Sequence, residues 1–217
     1  ADAFNVKNKF NKEIIFALYY NKANDTGHGY WYSTTKPEEA QLTQPAPVFR
    51  ALYDARDNRL PLISEYTEDK KGTYLLNKWF DNRNDALKGN VVENDFPHLR
   101  YADVVLMYAE ALAESGSSLG DALVWRNKTR TRAGLDALKA EDIPSKGAFI
   151  EALADERGRE FALEGHRWFD LVRLGLALDR FHEMDYKLDA HNLLFPIPQN
   201  QIEIVNDKTV LWQNPGY

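Results

Sequence analysis

A helical pattern of apolar residues covers positions 149–175 and limits the possible folds more than any other part of the sequence. The apolar side chains recur at spacings of three, four, seven and eight: Phe149, Leu153, Phe161, Trp168, Phe169 and Val172. This periodicity places them on one face of a helix. We therefore predict a central helix here, continuous or kinked near Gly165, with Gly175 as its end.

Two glycines lie within this predicted helix, Gly158 and Gly165, seven positions apart and so on the same side. Each costs about 1 kcal/mol of helix propensity relative to alanine. Because a glycine leaves room beside the helix, we expect the backbone of a neighbouring element to approach closely along this side.

Charged residues lie close to the apolar face of the same stretch. Glu156, Glu160 and Glu164 follow one another at i, i+4 steps, with arginines between them. Opposite charges within one helical turn can pair. We predict a structural ion-pair network made of the following residues: Glu156, Arg157, Glu160, Glu164, Arg167, Asp170 and Arg173.

An alternative use of the three glutamates is catalysis, because two carboxylates form the acid and base pair of a glycosidase. A di-iron site is excluded by spacing, since it needs Glu-x-x-His, whereas His166 follows Glu164 by two positions. The five histidines show no HxxxH or HxxH pairing, and the nucleotide-binding and serine-hydrolase motifs are absent. We expect no metal and no cofactor.

The clearest helix in the sequence covers residues 99–116. It carries one stripe of large residues beside small ones, namely Tyr101, Val105, Tyr108 and Leu112 beside Ala102, Ala109 and Ala113. A second helix is predicted from a cap at Asp121 to Arg132, ending at Gly134. The pair is the size of one tetratricopeptide unit, which cannot bury both of its faces alone. We therefore expect an exposed apolar face and further helices upstream.

The rest of the chain is less regular. Residues 13–20 predict a short strand, and residues 33–97 read as irregular loops in which the segment DARD, 54–57, is exposed. Residues 181–217 are expected to form an irregular tail, because Pro196 and Pro198 oppose a helix. Four tryptophans lie in apolar patterns and are assigned to the core: Trp79, Trp125, Trp168 and Trp212.

Three adjacent aromatic residues, Tyr30, Trp31 and Tyr32, follow a loop rich in glycine and asparagine. Side chains alternate along an extended chain, so at least one ring should face outward and could stack on the apolar C–H face of a sugar. Polar residues of the loop could bond the sugar hydroxyls: Asn24, Asp25 and His28. This group is the candidate ligand site, and the alternative for Trp31 is a place in the core.

Charge and composition exclude several classes of protein. The chain has 27 basic and 33 acidic residues, a net charge of -6, and no cluster of lysine or arginine, so nucleic acid is an unsuitable partner. It has no cysteine and therefore no disulfide. No apolar run reaches 18 residues, so no segment predicts a membrane-spanning helix.

Several motifs together resemble the C-terminal half of the SusD/RagB family, outer-membrane lipoproteins of the Bacteroidetes that capture nutrients. The motifs are ERGREFALEGHRWFDLVRLG, LRYADVVLMYAEALAESG with NKTRTRAGL after it, and the closing LLFPIP and QNPGY. They occur in the family's order across residues 99–217, with weaker similarity in NKEIIFALYY.

The resemblance implies a mainly α-helical, SusD-like fold, with a tetratricopeptide-like hairpin, further helices, long irregular loops and a few short strands. We expect one region over residues 1–217, loop-rich to 97, helical over 98–180 and irregular beyond, without the family's N-terminal half. The signal peptide and lipid anchor of family members would precede it.

The implied function is non-catalytic binding of a nutrient, a glycan or oligosaccharide, at the outer membrane and cell surface. The implied partner is a SusC-like TonB-dependent transporter. Two rival functions remain open at this point: a helical glycoside hydrolase that uses Glu156, Glu160 and Glu164, and a tetratricopeptide-type scaffold that binds peptides.

Overall fold

A computed structural model describes residues 2–21, 46–63, 65–67, 73–75, 78–79 and 93–217. These residues form a mainly α-helical protein with a few short strands, which confirms the predicted fold class. The chain divides into two compact units, Ala1–Arg167 and Trp168–Tyr217. Among the described residues, no helix is long and apolar enough to span a membrane.

Two short antiparallel sheets belong to the first unit. Strand β1 (Ile14–Leu18) confirms the predicted strand and pairs with β4 (Phe96–Arg100), and β2 (Glu65–Thr67) pairs with β3 (Thr73–Leu75). The first pairing has an irregular register and places Leu18 opposite Phe96. Two one-turn helices, α1 (Pro47–Arg50) and α2 (Leu60–Ile63), lie between β1 and β2 in the chain.

A helical hairpin follows β4 directly. Helix α3 (Tyr101–Glu114) and helix α4 (Leu119–Arg132) confirm the two predicted helices, and Gly134 follows with φ of +85°. The cap is Ser118 rather than Asp121: the Ser118 hydroxyl accepts from the Asp121 amide at 3.1 Å and donates to its carboxylate at 2.8 Å. Asp121 therefore lies inside the first turn and supplies the amide that Ser118 caps.

The buried side of α3 includes the small residues and part of the stripe of large ones. Tyr101 and Tyr108 are 52% and 47% exposed, whereas Ala102, Ala109 and Ala113 are buried. Alanines allow α4 and the next helix to approach closely, and Val105 of the large stripe is buried beside them, so only the two tyrosines of that stripe are largely exposed. The hairpin consequently has the exposed apolar face expected of an isolated tetratricopeptide-like unit.

The stretch predicted as one central helix forms two helices. Helix α5 (Lys146–Glu160) starts at Ser145, whose hydroxyl accepts from the Ala148 amide at 3.1 Å, and α6 (Arg167–Arg173) starts after a non-helical turn. The turn includes Gly165 at φ +85°. The break therefore falls beside the glycine at which the sequence suggested a kink.

The two glycines of this stretch do not admit a neighbouring backbone, contrary to the expectation. A Cβ on Gly158 would lie 2.8 Å from Nη1 of Arg167, so the space is taken by a guanidinium group. A Cβ on Gly165 would meet nothing within 4 Å, and the positive φ explains that glycine instead. The core beside α5 consists of residues from three helices: Leu106, Ala109, Leu123, Phe149, Leu153 and Phe161.

The second unit contains the end of α6, then α7 (Ala177–His182), a 3₁₀ turn (Ala190–Leu193) and α8 (Gln199–Val205). The tail was predicted to be irregular, which is wrong for α8: Pro198 is its N-cap, a position where the missing N–H of proline costs nothing. Gly175, at φ +72°, lies where the sequence predicted a helix end. Trp212 is 61% exposed, so its assignment to the core is also wrong, whereas Trp79 of the first unit is fully buried.

Candidate functional site

Three buried glutamates lie at the end of α5 and just beyond it, and they organise the charged centre of the first unit. Glu156, Glu160 and Glu164 are each bonded by cations from other segments of the chain. Glu156 and Glu160 lie one turn apart on α5, whereas Glu164 lies in the turn after its end. Their main partners, however, do not come from α5.

Glu156 accepts hydrogen bonds from three different segments. Arg59 Nη1 lies 2.7 Å from its Oε1, Arg159 Nη2 lies 3.1 Å from its Oε2, and the Thr129 hydroxyl lies 3.0 Å from Oε1. Burial alone would raise the pKa of Glu156, but the charges of Arg59 and Arg159 outweigh burial and hold it below its usual range. Glu156 is therefore ionised and fully paired.

Glu160 links three arginines. Its Oε1 accepts from Arg132 at 2.5 Å and from Arg100 at 3.1 Å, and its Oε2 accepts from Arg59 at 3.1 Å. Burial alone would raise the pKa of Glu160, but Arg100 and Arg132 lower it to about 2. A carboxylate with this pKa is ionised at every physiological pH.

Glu164 lies beyond the end of α5 and is held by two cations. Arg100 donates from Nε and Nη2 at 2.7 and 2.8 Å, and the Lys78 ammonium donates at 2.5 Å. The same ammonium donates to the carbonyls of Glu160 and Ala162 at 3.0 and 2.8 Å. Burial lowers the pKa of Lys78, and the contact with Glu164 opposes that effect.

The arginines of the network are themselves positioned by neighbours. Asp57 accepts two bonds from Arg59, at 2.9 and 2.8 Å, and is only 2% exposed. The prediction that residues 54–57 are exposed is therefore wrong at Asp57, because its carboxylate faces Arg59 rather than solvent. Arg100 lies between the rings of Phe4 and Phe161, 5.4 and 4.9 Å from their centroids.

The remaining residues of the predicted network form separate contacts. Arg157 bonds Asp103 at 2.7 Å, and Arg167 bonds the Ala154 carbonyl at 2.7 Å. Asp170 and Arg173 pair at 2.9 Å within the second unit. Sequence reasoning missed the cations that bind the three glutamates, because nothing in the sequence links positions so far apart: Arg59, Lys78, Arg100, Arg126 and Arg132.

This chemistry does not suit acid catalysis by the three glutamates. A general acid must hold its proton near neutral pH, which requires a raised pKa. Glu156 and Glu160 have lowered pKa values and are bonded to arginines. The arrangement favours ion pairing over proton transfer. Among the described residues, no group of three or more His, Cys, Asp and Glu is placed to hold a metal ion.

The candidate ligand residues lie outside the residues that the structure describes. They are Asn24, Asp25, His28, Tyr30, Trp31 and Tyr32. Their roles, including the choice between a stacking platform and a core position for Trp31, stay predictions.

A cavity of about 400 Å³ lies beside the end of α5. The N-terminal segment, the residues around α2 and the ends of α4 and α5 contribute to its wall. The wall contains six cationic residues: Lys12, Arg59, Lys78, Arg100, Arg132 and Arg159. Among the described residues, two carboxylates line it with them, Glu13 and Glu160. The cavity therefore borders the ion-pair network, and cationic residues outnumber carboxylates in its wall.

Curated relatives of this chain are similar over only part of their length. SusD-like protein P25 of Formosa agariphila is 33% identical over 94% of this chain and 49% of that protein. The starch-binding protein SusD of Bacteroides thetaiotaomicron is 32% identical over 64% of this chain and 25% of that protein. The chain thus spans about half, or less, of the length of these relatives.

Solved structures show the same fold at lower identity. A SusD superfamily protein from Bacteroides vulgatus superposes with a TM-score of 0.74 at 23% identity, over 99% of this chain and 53% of that one. Surface glycan-binding protein A from Bacteroides thetaiotaomicron superposes with a TM-score of 0.67 at 21% identity, over 99% and 54%. The SusD family model matches residues 58–217, most of the sequence. This match, together with the similarity to SusD-like protein P25 and the helical hairpin, shows that the chain belongs to the SusD family.

Proposed function

We propose that the protein is the non-catalytic, nutrient-binding component of an outer-membrane uptake system of the SusC/SusD type, with a glycan or oligosaccharide as its ligand. The observation that carries this proposal is membership of the SusD family over residues 58–217. Names of relatives support the ligand class: one is a starch-binding protein, and one structural neighbour is a surface glycan-binding protein.

The buried charges support binding rather than hydrolysis. The rival glycosidase function would use Glu156, Glu160 and Glu164, but each of these carboxylates is bonded to arginine or lysine. The proposed partner is a SusC-like TonB-dependent transporter. The proposed location is the outer membrane at the cell surface, through a lipid anchor on the full-length protein.

The ligand site is proposed to include Trp31, flanked by Tyr30 and Tyr32. One stacked ring removes on the order of 100 Å² of apolar surface from water, a gain of about 2.5 kcal/mol before ordering costs. Two or three rings then give micromolar to millimolar affinity, about -8 to -4 kcal/mol. Weak affinity suits a protein that passes its ligand to a transporter.

Calorimetry of the protein against a panel of neutral oligosaccharides tests this proposal, with Trp31→Ala beside it. If Trp31 is a stacking platform, Trp31→Ala should lose about 2 kcal/mol of binding free energy and keep its thermal stability. If Trp31 is a core residue, the variant should instead lose about 3 to 5 kcal/mol of folding stability. Absence of binding to every glycan, with peptides bound instead, would favour the peptide-binding scaffold. Release of reducing ends from the panel would show hydrolysis and overturn the non-catalytic assignment.

A further inference from the structure

We propose that the cavity beside the end of α5 binds the carboxylate of an acidic sugar. The carboxylate part of this assignment rests on the charges of the cavity alone. The sugar part rests on the proposed function, and it adds a ligand class, uronic acids and related acidic saccharides, that the aromatic segment does not explain.

The first argument is charge balance. Behind the wall lie three carboxylates that neutralise its arginines and lysine, Asp57, Glu156 and Glu164, and one further cation, Arg126. Including these, seven cations face five carboxylates in the part of the chain that the structure describes. The chain as a whole has a net charge of -6, so an excess of two positive charges at the cavity is a local departure from it. Such an excess attracts an anion.

The second argument is where the excess lies. Lys12 is exposed at the cavity and makes no hydrogen bond or ion pair with any described residue. Arg132 is half-exposed. Its Nη2 donates to Glu160, while its Nη1 lies 3.9 Å from Glu13. The two accessible cations, Lys12 and Arg132, therefore still have N–H groups available to a ligand. Charge-assisted bonds from them to a ligand carboxylate would be short and strong.

The third argument is the type of anion. Two carboxylates, Glu13 and Glu160, already line the wall and would repel a dianion more than a monoanion. The side-chain amides of Asn8 and Asn58 also line the cavity and have no hydrogen-bond partner among the described residues. Amides both donate and accept, as sugar hydroxyls require. A volume of about 400 Å³ is adequate for a monosaccharide unit.

The test is calorimetry on the whole chain with four probes: D-glucuronate, D-glucose, acetate and phosphate. We expect glucuronate to bind more tightly than glucose, and its affinity to fall as ionic strength rises from 20 to about 200 mM. Lys12→Gln should weaken glucuronate binding about threefold to tenfold without affecting folding, because Lys12 is exposed and pairs with no described residue. Lys7→Gln is the matched control, an exposed lysine of the same segment outside the cavity, and should have no effect.

Equal affinity for glucuronate and glucose, or equal effects of Lys12→Gln and Lys7→Gln, would overturn the proposal. Acetate binding as tightly as glucuronate would overturn its sugar part, and tighter binding of phosphate would overturn the choice of a carboxylate. Failure here is distinguishable from failure of the proposed function. Neutral oligosaccharides that bind through Trp31 leave the proposed function standing whatever the result with glucuronate.

Discussion

Arg100 binds Glu164 through two parallel hydrogen bonds, from Nε to Oε2 at 2.7 Å and from Nη2 to Oε1 at 2.8 Å, with both side chains buried. This fork joins the last residue of β4 to the turn after α5. Arg100 also bonds Glu13 at 2.8 Å and Glu160 at 3.1 Å. One guanidinium group therefore holds carboxylates from three parts of the first unit.

Replacement of Arg100 should show how much this fork stabilises the fold. Arg100→Met removes the bidentate partner of buried Glu164 and one of the three arginines on Glu160, and we expect the free energy of unfolding to fall by about 3 to 5 kcal/mol. Arg100→Lys keeps the charge but loses the parallel bonds, so its loss should be smaller. Lys146→Met is the control, because its pair with Glu114 is half-exposed and should contribute under about 1 kcal/mol. Equal losses for Arg100→Met and Lys146→Met in chemical denaturation would contradict the assigned role.

The pH dependence of stability should report the ionised state of Glu160. Its folded pKa is about 2, below the ordinary value of 4.5, so it stabilises the fold above about pH 4.5. This contribution, on the order of 3 kcal/mol, is lost as the pH falls toward 2. Glu160→Gln should lower stability at pH 7 and flatten the fall between pH 4.5 and 2. Glu151→Gln, an exposed glutamate of the same helix, should do neither. An unchanged acid profile in Glu160→Gln would count against the pairing.

Gly158 and Arg167 should be coupled. A Cβ at Gly158 would displace Nη1 of Arg167, which bonds the Ala154 carbonyl at 2.7 Å. We expect Gly158→Ala to destabilise the parent protein despite the gain in helix propensity. In an Arg167→Ala background the clash is absent, so the same change should stabilise by about 1 kcal/mol. A double-mutant cycle by chemical denaturation measures this reversal of sign, and additive effects would disprove the contact.

The exposed face of the helical hairpin should make this chain associate with itself or bind a hydrophobic dye. Val104, Met107 and Tyr108 are exposed on α3, and Val124 is exposed on α4. The double change Val104→Lys with Met107→Lys should reduce both effects without lowering stability. Ile204→Lys with Val210→Lys, in the second unit, is the control for exposed apolar residues elsewhere. A monomeric parent that binds no dye would show that this face is covered.

Helix positions followed from the sequence where periodicity and capping residues agreed. Helices α3 and α4 have strong periodicity and glycine ends, and the structure places them where the pattern predicted. The buried side of α3 was less clear from the sequence, because the alanines and the stripe of large residues lie next to each other. Both contribute to it: the alanines and Val105 are buried, while Tyr101 and Tyr108 are exposed. A periodic pattern gives the face of a helix but does not say which neighbour covers it.

The partners of the glutamates could not be predicted in the same way. Spacing along one helix identified Glu156, Glu160 and Glu164 as a group, since that relation is local. Arg59, Lys78 and Arg100 join them only through the tertiary fold. Asp57 is an example: the polar segment 54–57 was predicted to be exposed, because the sequence does not show that the carboxylate of Asp57 is buried against Arg59. The cavity was missed for the same reason, because its wall comes from segments far apart in sequence.

The charged centre also has a consequence for the order of folding. Arg59 reaches Glu156 across 97 positions, Lys78 reaches Glu164 across 86, and Arg100 reaches it across 64. Helices α3 and α4, by contrast, are adjacent in the chain and need only a short turn to meet. Long loops must close before the distant charges can pair, so we expect the hairpin to form early and the network late. Glu160→Gln should accordingly speed unfolding and leave the folding rate nearly unchanged in stopped-flow measurements, and a slower folding rate would place the network in the nucleus instead.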